Sequence, residues 1–402
     1  MRDKVATAAC NCADDKGRPR LLIMLLSLLS RCENRLLMAT LNIASALFAF
    51  EPAAIHALHL RAWDILAERL NEVMMDVSCG QVNEDASLGS TAFSEVTLDE
   101  FSGVKPSRVM GRIIETLALI SAAGSEAPLV IFDAEKKQDL PKSLTKSPSH
   151  SGPKTMRDLL YFADTILLKC GDRVDVQSGI NVLTIVYNLS LYPAARRALS
   201  SDDNNIDVML EVLKAYLPGN TMQRLTAVDQ LDLATLIMGV FCRISTSLTG
   251  AVEEIADSGS LLHYLLESNL VFAIQAISRE CDEKAHEDLI VFLLTMLTAF
   301  SESDACREIF YTTDVVTSAI SALIFLLNSS FCSREGSGLA TSIRALELVK
   351  IIHVKSHQPL ASDIIGFLVS YRSLSAHSKE CAVIDCLDAL FVVAEVEADG
   401  KK

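Results

Sequence analysis

Residues 36–58, LLMATLNIASALFAFEPAAIHAL, join a long apolar run to a proline-started segment rich in alanine, and this arrangement recurs along the chain. Residues 180–199 read INVLTIVYNLSLYPAARRAL, and residues 289–310 read LIVFLLTMLTAFSESDACREIF. A more divergent copy occupies residues 252–266. Apolar residues spaced three and four apart over such lengths predict amphipathic helices, so we expect one helical unit to repeat along the chain.

The register of this repeat is regular in the second half of the chain and interrupted in the first. From Pro193 through Ala251 to Asp304 the copies follow one another at a little over fifty residues. Between Pro52 and Pro193 there are two insertions. Residues 76–106 are rich in Ser, Gly, Asp and Glu, and residues 133–154 are rich in Lys, Ser and Pro. Such compositions predict mobile loops.

The pattern resembles the armadillo repeat, in which a long helix is followed by a short helix of the form x-x-Arg-x-x-Leu, a turn and a leucine-rich helix. Tyr187–Ser190 is similar to the end of the long helix, and Ile255–Gly259 is similar to the turn. The resemblance to the armadillo/HEAT superfamily implies an all-α fold. It also implies a right-handed α-α superhelix (an armadillo-type solenoid), here with two inserted flexible loops.

The expected organisation follows from the repeats and the insertions. It comprises a flexible N-terminus (1–17), N-terminal repeats (18–132) with a loop at 76–106, a basic Ser/Pro linker (133–154), C-terminal repeats (155–396) and a flexible tail (397–402). Because one helical hairpin cannot bury its apolar face alone, neighbouring repeats are expected to share a continuous core.

Polar side chains recur along the predicted long helices. Gln177, Asn181, Thr184 and Asn188 follow at i, i+4, i+7 and i+11, which places them in one line on a helix. The resemblance implies that such lines face the concave groove and hold a segment of a partner protein. The candidate partner-binding residues are Arg35, Asn42, Arg112, Asn181, Thr184, Asn188, Lys350 and His353. The alternative is an ordinary solvated helix face, which every amphipathic helix has.

Charge and composition narrow the class of partner. The chain of 402 residues has a net charge of −15 and is 50% hydrophobic. A surface this acidic disfavours nucleic acid and anionic membranes and favours protein partners with basic segments. The eleven cysteines are scattered, some within apolar runs, which indicates a reducing compartment and therefore a cytoplasmic or nuclear location. We expect a monomer or a subunit of a hetero-complex.

Signatures of catalysis are not found. The sequence contains no phosphate-binding glycine loop, no His-Glu-x-x-His and no Gly-x-Ser-x-Gly. His56 and His59 lie three apart, and Cys10 and Cys12 two apart, but neither pair has further ligands at a recognised spacing. We therefore expect no enzyme, no cofactor and no metal.

The uncharged stretch 315–333 contains too many Ser, Thr and Asn residues for a typical membrane helix, and a buried helix is expected there.

Two functions of different class remain open. The first is a non-catalytic adaptor that holds a partner segment in the groove. The second is a structural subunit of a large complex, such as a tether, a coat or a cytoskeletal assembly, which makes contact through its outer surface.

The basic segment 133–154 adds a hypothesis about regulation, because it could compete with a basic partner for the acidic surface of the rest of the chain. Ser147, followed by Pro148, is its candidate phosphorylation site.

Overall fold

The computed structural model is α-helical throughout the residues that it describes, and no strand occurs in them. The described ranges are 19–32, 34–73, 106–124, 176–200, 227–247, 283–303, 313–328, 337–356, 360–378 and 381–399, with a few isolated residues between them. The chain divides into two compact units, Met1–Val208 and Met209–Lys402. The all-α prediction is confirmed.

The described residues of unit 1 are helical in several segments. They are α1 (Arg20–Leu29), α2 (Asn34–Phe48), α3 (Glu51–His59), α4 (Pro106–Ser121), α5 (Val176–Leu189) and α6 (Pro193–Ser200). Residues 62–73 are also helical. The long helices stand in one row, since α2 packs on α4 and α4 packs on α5. The shorter helix α1 packs on α2, and α3 packs on both α2 and α4.

Unit 2 has six described helices and the same manner of packing. They are α7 (Ala227–Ser247), α8 (Glu283–Glu302), α9 (Thr313–Leu327), α10 (Ser337–Ser356), α11 (Ser362–Ser378) and α12 (Cys381–Asp399). Its row runs α7, α8, α10, α12, while α9 packs on α10 and α11 packs on α12. In both units, helices that are distant in sequence stand side by side, which is compatible with a helical repeat.

The apolar stripes of the long helices form the core. In α2 the buried residues Leu37, Leu41, Ala44 and Phe48 follow at spacings of four, three and four, and none is more than 2% exposed. Helix α9, Thr313–Leu327, lies in the uncharged stretch, and its Val316, Ala319, Ile320 and Leu323 are buried. The helix expected in that stretch is confirmed.

A serine lies at the carboxyl end of six of the described helices, and its hydroxyl donates to the carbonyl three residues earlier. The serines are Ser30, Ser121, Ser190, Ser245, Ser301 and Ser356, with oxygen–oxygen distances of 2.9, 2.8, 2.6, 3.1, 2.8 and 3.3 Å. The last four are 55, 56 and 55 residues apart in the chain. A hydroxyl in this position bonds back to a carbonyl in the last turns of its own helix. This spacing of about 55 residues is compatible with a helical repeat and is longer than the 40 or so typical of armadillo and HEAT units.

Local signals fix where the helices begin and end. Pro52 lies in the first turn of α3, and Pro193 begins α6, as the repeated proline predicts. Gly124, just after α4, has a φ of 59°, a left-handed conformation that glycine adopts without a steric penalty. Arg196 of α6 donates to the carbonyls of Ser190 and Leu191 at 3.0 and 2.9 Å, which satisfies the end of α5.

Several sequence predictions fall on other parts of the chain. The insertions 76–106 and 133–154 lie almost wholly outside the described residues, as does the divergent copy at 252–266. The predicted division into two blocks of repeats at the linker 133–154 stays a prediction. Within unit 1, α4 packs directly on α5, a helix that follows that linker.

Among the described residues, no single helix is both long and apolar enough to cross a membrane. One pair, Leu36–Phe48 with Glu51–His59, reaches that length and composition only when counted together across a bend of 118°.

Candidate functional site: a polar cleft across three long helices

A polar cleft of about 740 Å³ lies across the row α2, α4, α5 of unit 1. Its lining comes from all three helices: Met38 and Asn42 of α2, Ser107, Arg108, Gly111, Arg112 and Glu115 of α4, and Gln177, Ser178 and Asn181 of α5. Three of the predicted partner-binding residues, Asn42, Arg112 and Asn181, are therefore brought to one site. They are separated by up to 139 positions in the sequence.

Arg112 is the central side chain of the cleft. Its Nε donates to Oδ1 of Asn42 across the α2–α4 packing, at 2.8 Å. Its Nη1 pairs with the carboxylate of Glu115, one turn further along α4. These contacts orient the guanidinium while its side chain remains 30% exposed. A guanidinium has five N–H donors, so a group held in this way retains donors that can meet a ligand.

A buried hydroxyl pair fixes α2 against α4 beneath the cleft. Ser45 and Thr116 are 6% and 0% exposed, and their hydroxyl oxygens are 2.8 Å apart. The Thr116 hydroxyl donates its single hydrogen to the carbonyl of Arg112 at 2.7 Å, so Ser45 is the donor to Thr116. Ser45, one turn after Asn42 on α2, therefore belongs to the interior and not to the lining of the cleft.

The wall between α4 and α5 depends on a glycine. A methyl group at Gly111 would lie 2.8 Å from Oγ of the buried Ser178, so the absence of a side chain permits this close approach. On α5, Nε2 of Gln177 donates to Oδ1 of Asn181 at 3.3 Å. This contact joins two residues of the predicted polar line within the lining of the cleft.

The local charge of the cleft is opposite in sign to that of the whole chain. Its lining includes two cations, Arg108 and Arg112, and one anion, Glu115. The net charge of the chain is −15. Amides, hydroxyls and guanidinium groups in this arrangement can bind the carbonyl groups and carboxylates of a polypeptide segment by direct hydrogen bonds.

Two residues of the predicted line on α5 lie beyond the cleft and bond within the fold. The Thr184 hydroxyl donates to the carbonyl of Ile180 at 2.9 Å, one turn earlier in its own helix. Nδ2 of Asn188 donates to Oγ of Ser121 at 3.0 Å, which fastens the end of α5 to the end of α4. Both side chains are half-buried.

The remaining predicted residues lie elsewhere. Arg35 is in α2, but its side chain is outside the described part of the structure, and Ser147 is outside it altogether. Lys350 and His353 are on α10 of unit 2. Lys350 is half-buried, whereas His353 is 1% exposed, so the exposed line expected on this helix does not extend to His353.

Three residues of the cleft do not stand out in the sequence. Ser107 and Ser178 are small polar residues of a kind that occurs throughout the chain. Gly111 carries a stronger signal, because a glycine within a predicted helix often has a packing reason. That the reason is the side chain of Ser178 becomes clear only from the structure.

The thiol and metal-ligating groups do not form a second site in the described residues. No group of three or more His, Cys, Asp and Glu side chains there could hold a metal ion. Burial raises the pKa of the Cys242 thiol, against the smaller opposing influences of Arg243 and Thr295. A thiol held protonated in this way is a poor nucleophile, which suits a packing role for Cys242.

Comparisons of this chain with the models of protein families, with curated proteins and with solved structures give no match.

Proposed function

We propose that the protein is a non-catalytic interaction module that holds a segment of a partner protein in the polar cleft across α2, α4 and α5. The observation that carries the proposal is the placement of Arg112. It is oriented by Asn42 and Glu115, and its side chain remains 30% exposed on α4, the middle helix of the three. A side chain ordered in advance loses less entropy when a ligand binds, which favours recognition at this position.

The finer fold is part of the proposal. We infer that the rows of long helices are turns of an armadillo-type, right-handed solenoid. The support is the period of about 55 residues marked by serines at helix ends, together with the side-by-side packing of successive long helices. In a solenoid, the long helices line one surface, and a polypeptide that lies along that surface would cross several helices in turn.

The charges that line the cleft indicate which chemical groups the bound partner segment should carry. The overall acidity of the chain favours basic partners at long range, but the two arginines of the cleft outnumber its single glutamate. We therefore propose that the segment in direct contact with the cleft is polar and contains a carboxylate positioned for Arg112. Basic residues of the same partner would face the acidic surface outside the cleft.

The test is the double substitution Arg112→Ala with Asn181→Ala, because it removes side chains from two walls of the cleft. The partner is first identified by affinity purification of the wild-type chain from its native cell, and a purified partner fragment is then titrated calorimetrically. We expect affinity to fall at least tenfold. Truncation of an interface residue that matters costs more than about 1 kcal/mol, and two are removed here.

Arg197→Ala is the matched control, since Arg197 is an exposed arginine of the same unit on α6, outside the cleft. This control should bind as the wild type does. Circular dichroism should show unchanged helicity and unfolding temperature in both variants. If the double variant and the wild type bind the partner with equal affinity, the proposal is wrong and the partner binds to another surface.

The second candidate function, a structural subunit of a larger assembly, is favoured by a separate observation. Large apolar side chains are exposed at the edges of the helical rows, where an array that ended in water would need polar residues.

A further inference from the structure

The exposed face of α2 is almost entirely apolar. Among the side chains of α2 that the structure describes, the exposed ones belong to Leu36, Ala39, Asn42, Ile43 and Ala46. Asn42, the one polar member of this set, accepts a hydrogen bond from Arg112. Leu36 and Ile43 are each 55% exposed. Single exposed apolar residues need no explanation, but a continuous set of them on one helix marks an interaction surface.

The four apolar residues of this face run along α2 and are called the α2 strip. They follow at spacings of three, four and three, the spacing of a helix–helix seam: Leu36, Ala39, Ile43 and Ala46. Ser45 marks the side of α2 that contacts α4, because its hydroxyl pairs with that of Thr116. At about 100° per residue, the α2 strip lies roughly 100–180° around the helix from Ser45. It is therefore turned away from α4.

The neighbouring long helices have no such strip. Helix α4 has α2 on one side and α5 on the other. Among the described side chains of α4 and α5, only Arg108 and Gln177 are exposed, and both are polar. The α2 strip is therefore a feature of α2 itself and not of the long helices of unit 1 in general.

Large and small side chains alternate along the α2 strip. Leu36 and Ile43 are large, whereas Ala39 and Ala46 are small. When a second copy of α2 lies antiparallel on the first and the two cross at residue 41, Leu36 faces Ala46 of the second copy, and Ala39 faces Ile43. Each large side chain then meets a small one, which lets the two surfaces interdigitate. A parallel pair would set large against large and leave space between the alanines.

The charges near the ends of α2 favour the same antiparallel arrangement. Arg31 precedes the helix and Arg35 lies in its first turn, while α2 contains no acidic residue. A parallel pair would bring the two basic amino ends together. An antiparallel pair separates them by roughly 20 Å, the length of the helix, whereas physiological salt screens charges over about 8 Å. Each basic end then lies beside the carboxyl end of the other α2, where the helix dipole favours a cation.

We propose that the α2 strip binds the α2 strip of a second copy of this chain, so that the protein is a twofold symmetric dimer with antiparallel α2 helices. In such an interface the same surface of both molecules meets itself, as in most homodimers. The interface uses residues of unit 1 alone, and it does not depend on the proposed function of the cleft. A homodimer differs from the monomer or hetero-complex subunit expected from the sequence.

The test uses full-length protein in sedimentation equilibrium, with a charge placed on each member of one facing pair. The variants are Ala39→Lys and Ile43→Glu. Both residues are exposed, so both variants should fold, and circular dichroism checks that they do. We expect the wild type to be a dimer at about 100 μM. Each variant alone should be a monomer, because its dimer would contain two charges held against apolar side chains.

Mixing the two variants tests the antiparallel register. In a mixed pair, the charges introduced by Ala39→Lys and Ile43→Glu face each other, and the other facing pair keeps its native alanine and isoleucine. An equimolar mixture should therefore form a one-to-one dimer. Leu191→Glu, at a residue of unit 1 that is 55% exposed and lies outside the α2 strip, should dimerise as the wild type does. The cleft variant Arg112→Ala with Asn181→Ala should also dimerise, which keeps this result separate from that of the proposed function.

Three outcomes would overturn the inference. One is a wild type that stays monomeric up to about 100 μM, as it would if another protein or a lipid surface covers the α2 strip. Another is a variant, Ala39→Lys or Ile43→Glu, that dimerises alone as well as the wild type does, since the interface would then lie elsewhere. The third is a mixture of these two variants that remains monomeric, because the antiparallel register would then be wrong.

Discussion

At the scale of single residues, the polar line of α5 separates into two groups with different tasks. Asn181 and Gln177 face the cleft, whereas Thr184 and Asn188 bond within the fold. Helical spacing places all four on one line but does not distinguish them, because the distinction depends on where α4 ends. Ser121 is the last residue of α4, and its hydroxyl oxygen accepts the hydrogen bond from Asn188. The sequence therefore predicted the line and three residues of the cleft, but not which polar groups the fold itself uses.

This difference gives a prediction for Asn188. Asn188→Ala should lower the free energy of unfolding by about 1 kcal/mol, because it removes a hydrogen bond between two packed helices. Denaturant unfolding measures the change, and Ser121→Ala combined with Asn188→Ala should cost less than the sum of the single substitutions. Partner affinity should be unchanged. If Asn188→Ala is as stable as the wild type but binds the partner more weakly, Asn188 contacts the partner and this prediction is wrong.

At the scale of the helices, the stability of each unit depends on apolar stripes shared between neighbours in a row. The stripes are visible in the sequence as residues spaced three and four apart, which is why the positions of α2, α5 and α8 follow from it. The packing partners are not visible there. Helix α4 packs on α5 although the insertion 133–154 lies between them in the sequence. This packing depends on the shapes of the two helix surfaces, which cannot be read from the composition of the segments.

We predict large and unequal costs for apolar truncations in these helices. Leu183→Ala in α5 and Leu293→Ala in α8 should each cost about 2–5 kcal/mol, since both side chains are 2% exposed and their removal leaves a cavity between helices. Leu191→Ala is the matched control at a side chain that is 55% exposed, and it should cost less than about 0.5 kcal/mol. Urea unfolding followed at 222 nm measures all three. Similar values for all three would mean that the stripes are not the core.

At the scale of the whole molecule, two kinds of surface are combined in one chain. The polar cleft presents hydrogen-bonding groups ordered by the helices around it, and large apolar side chains are exposed elsewhere, on α1, α2, α11 and α12. The proposed adaptor function uses the cleft, and the alternative, a structural subunit, would use the exposed apolar side chains. The two proposals are compatible, because they concern different surfaces.

The serines at these helix ends also have a consequence for how this chain can be lengthened or shortened. Because Ser245 and Ser301 make the same hydrogen bond at the ends of α7 and α8, removal of residues 246–301 joins Ser245 to Glu302 without changing the phase of the helix. We expect that deletion to give a soluble, helical, cooperatively unfolding protein, and removal of residues 246–273, half as many, to give an aggregating one. Circular dichroism and thermal melts of the two deletions decide the point. If both behave alike, the serines are not boundaries. If they differ as expected, the chain consists of exchangeable modules of about 55 residues, and its ancestors could have grown by duplicating one of them.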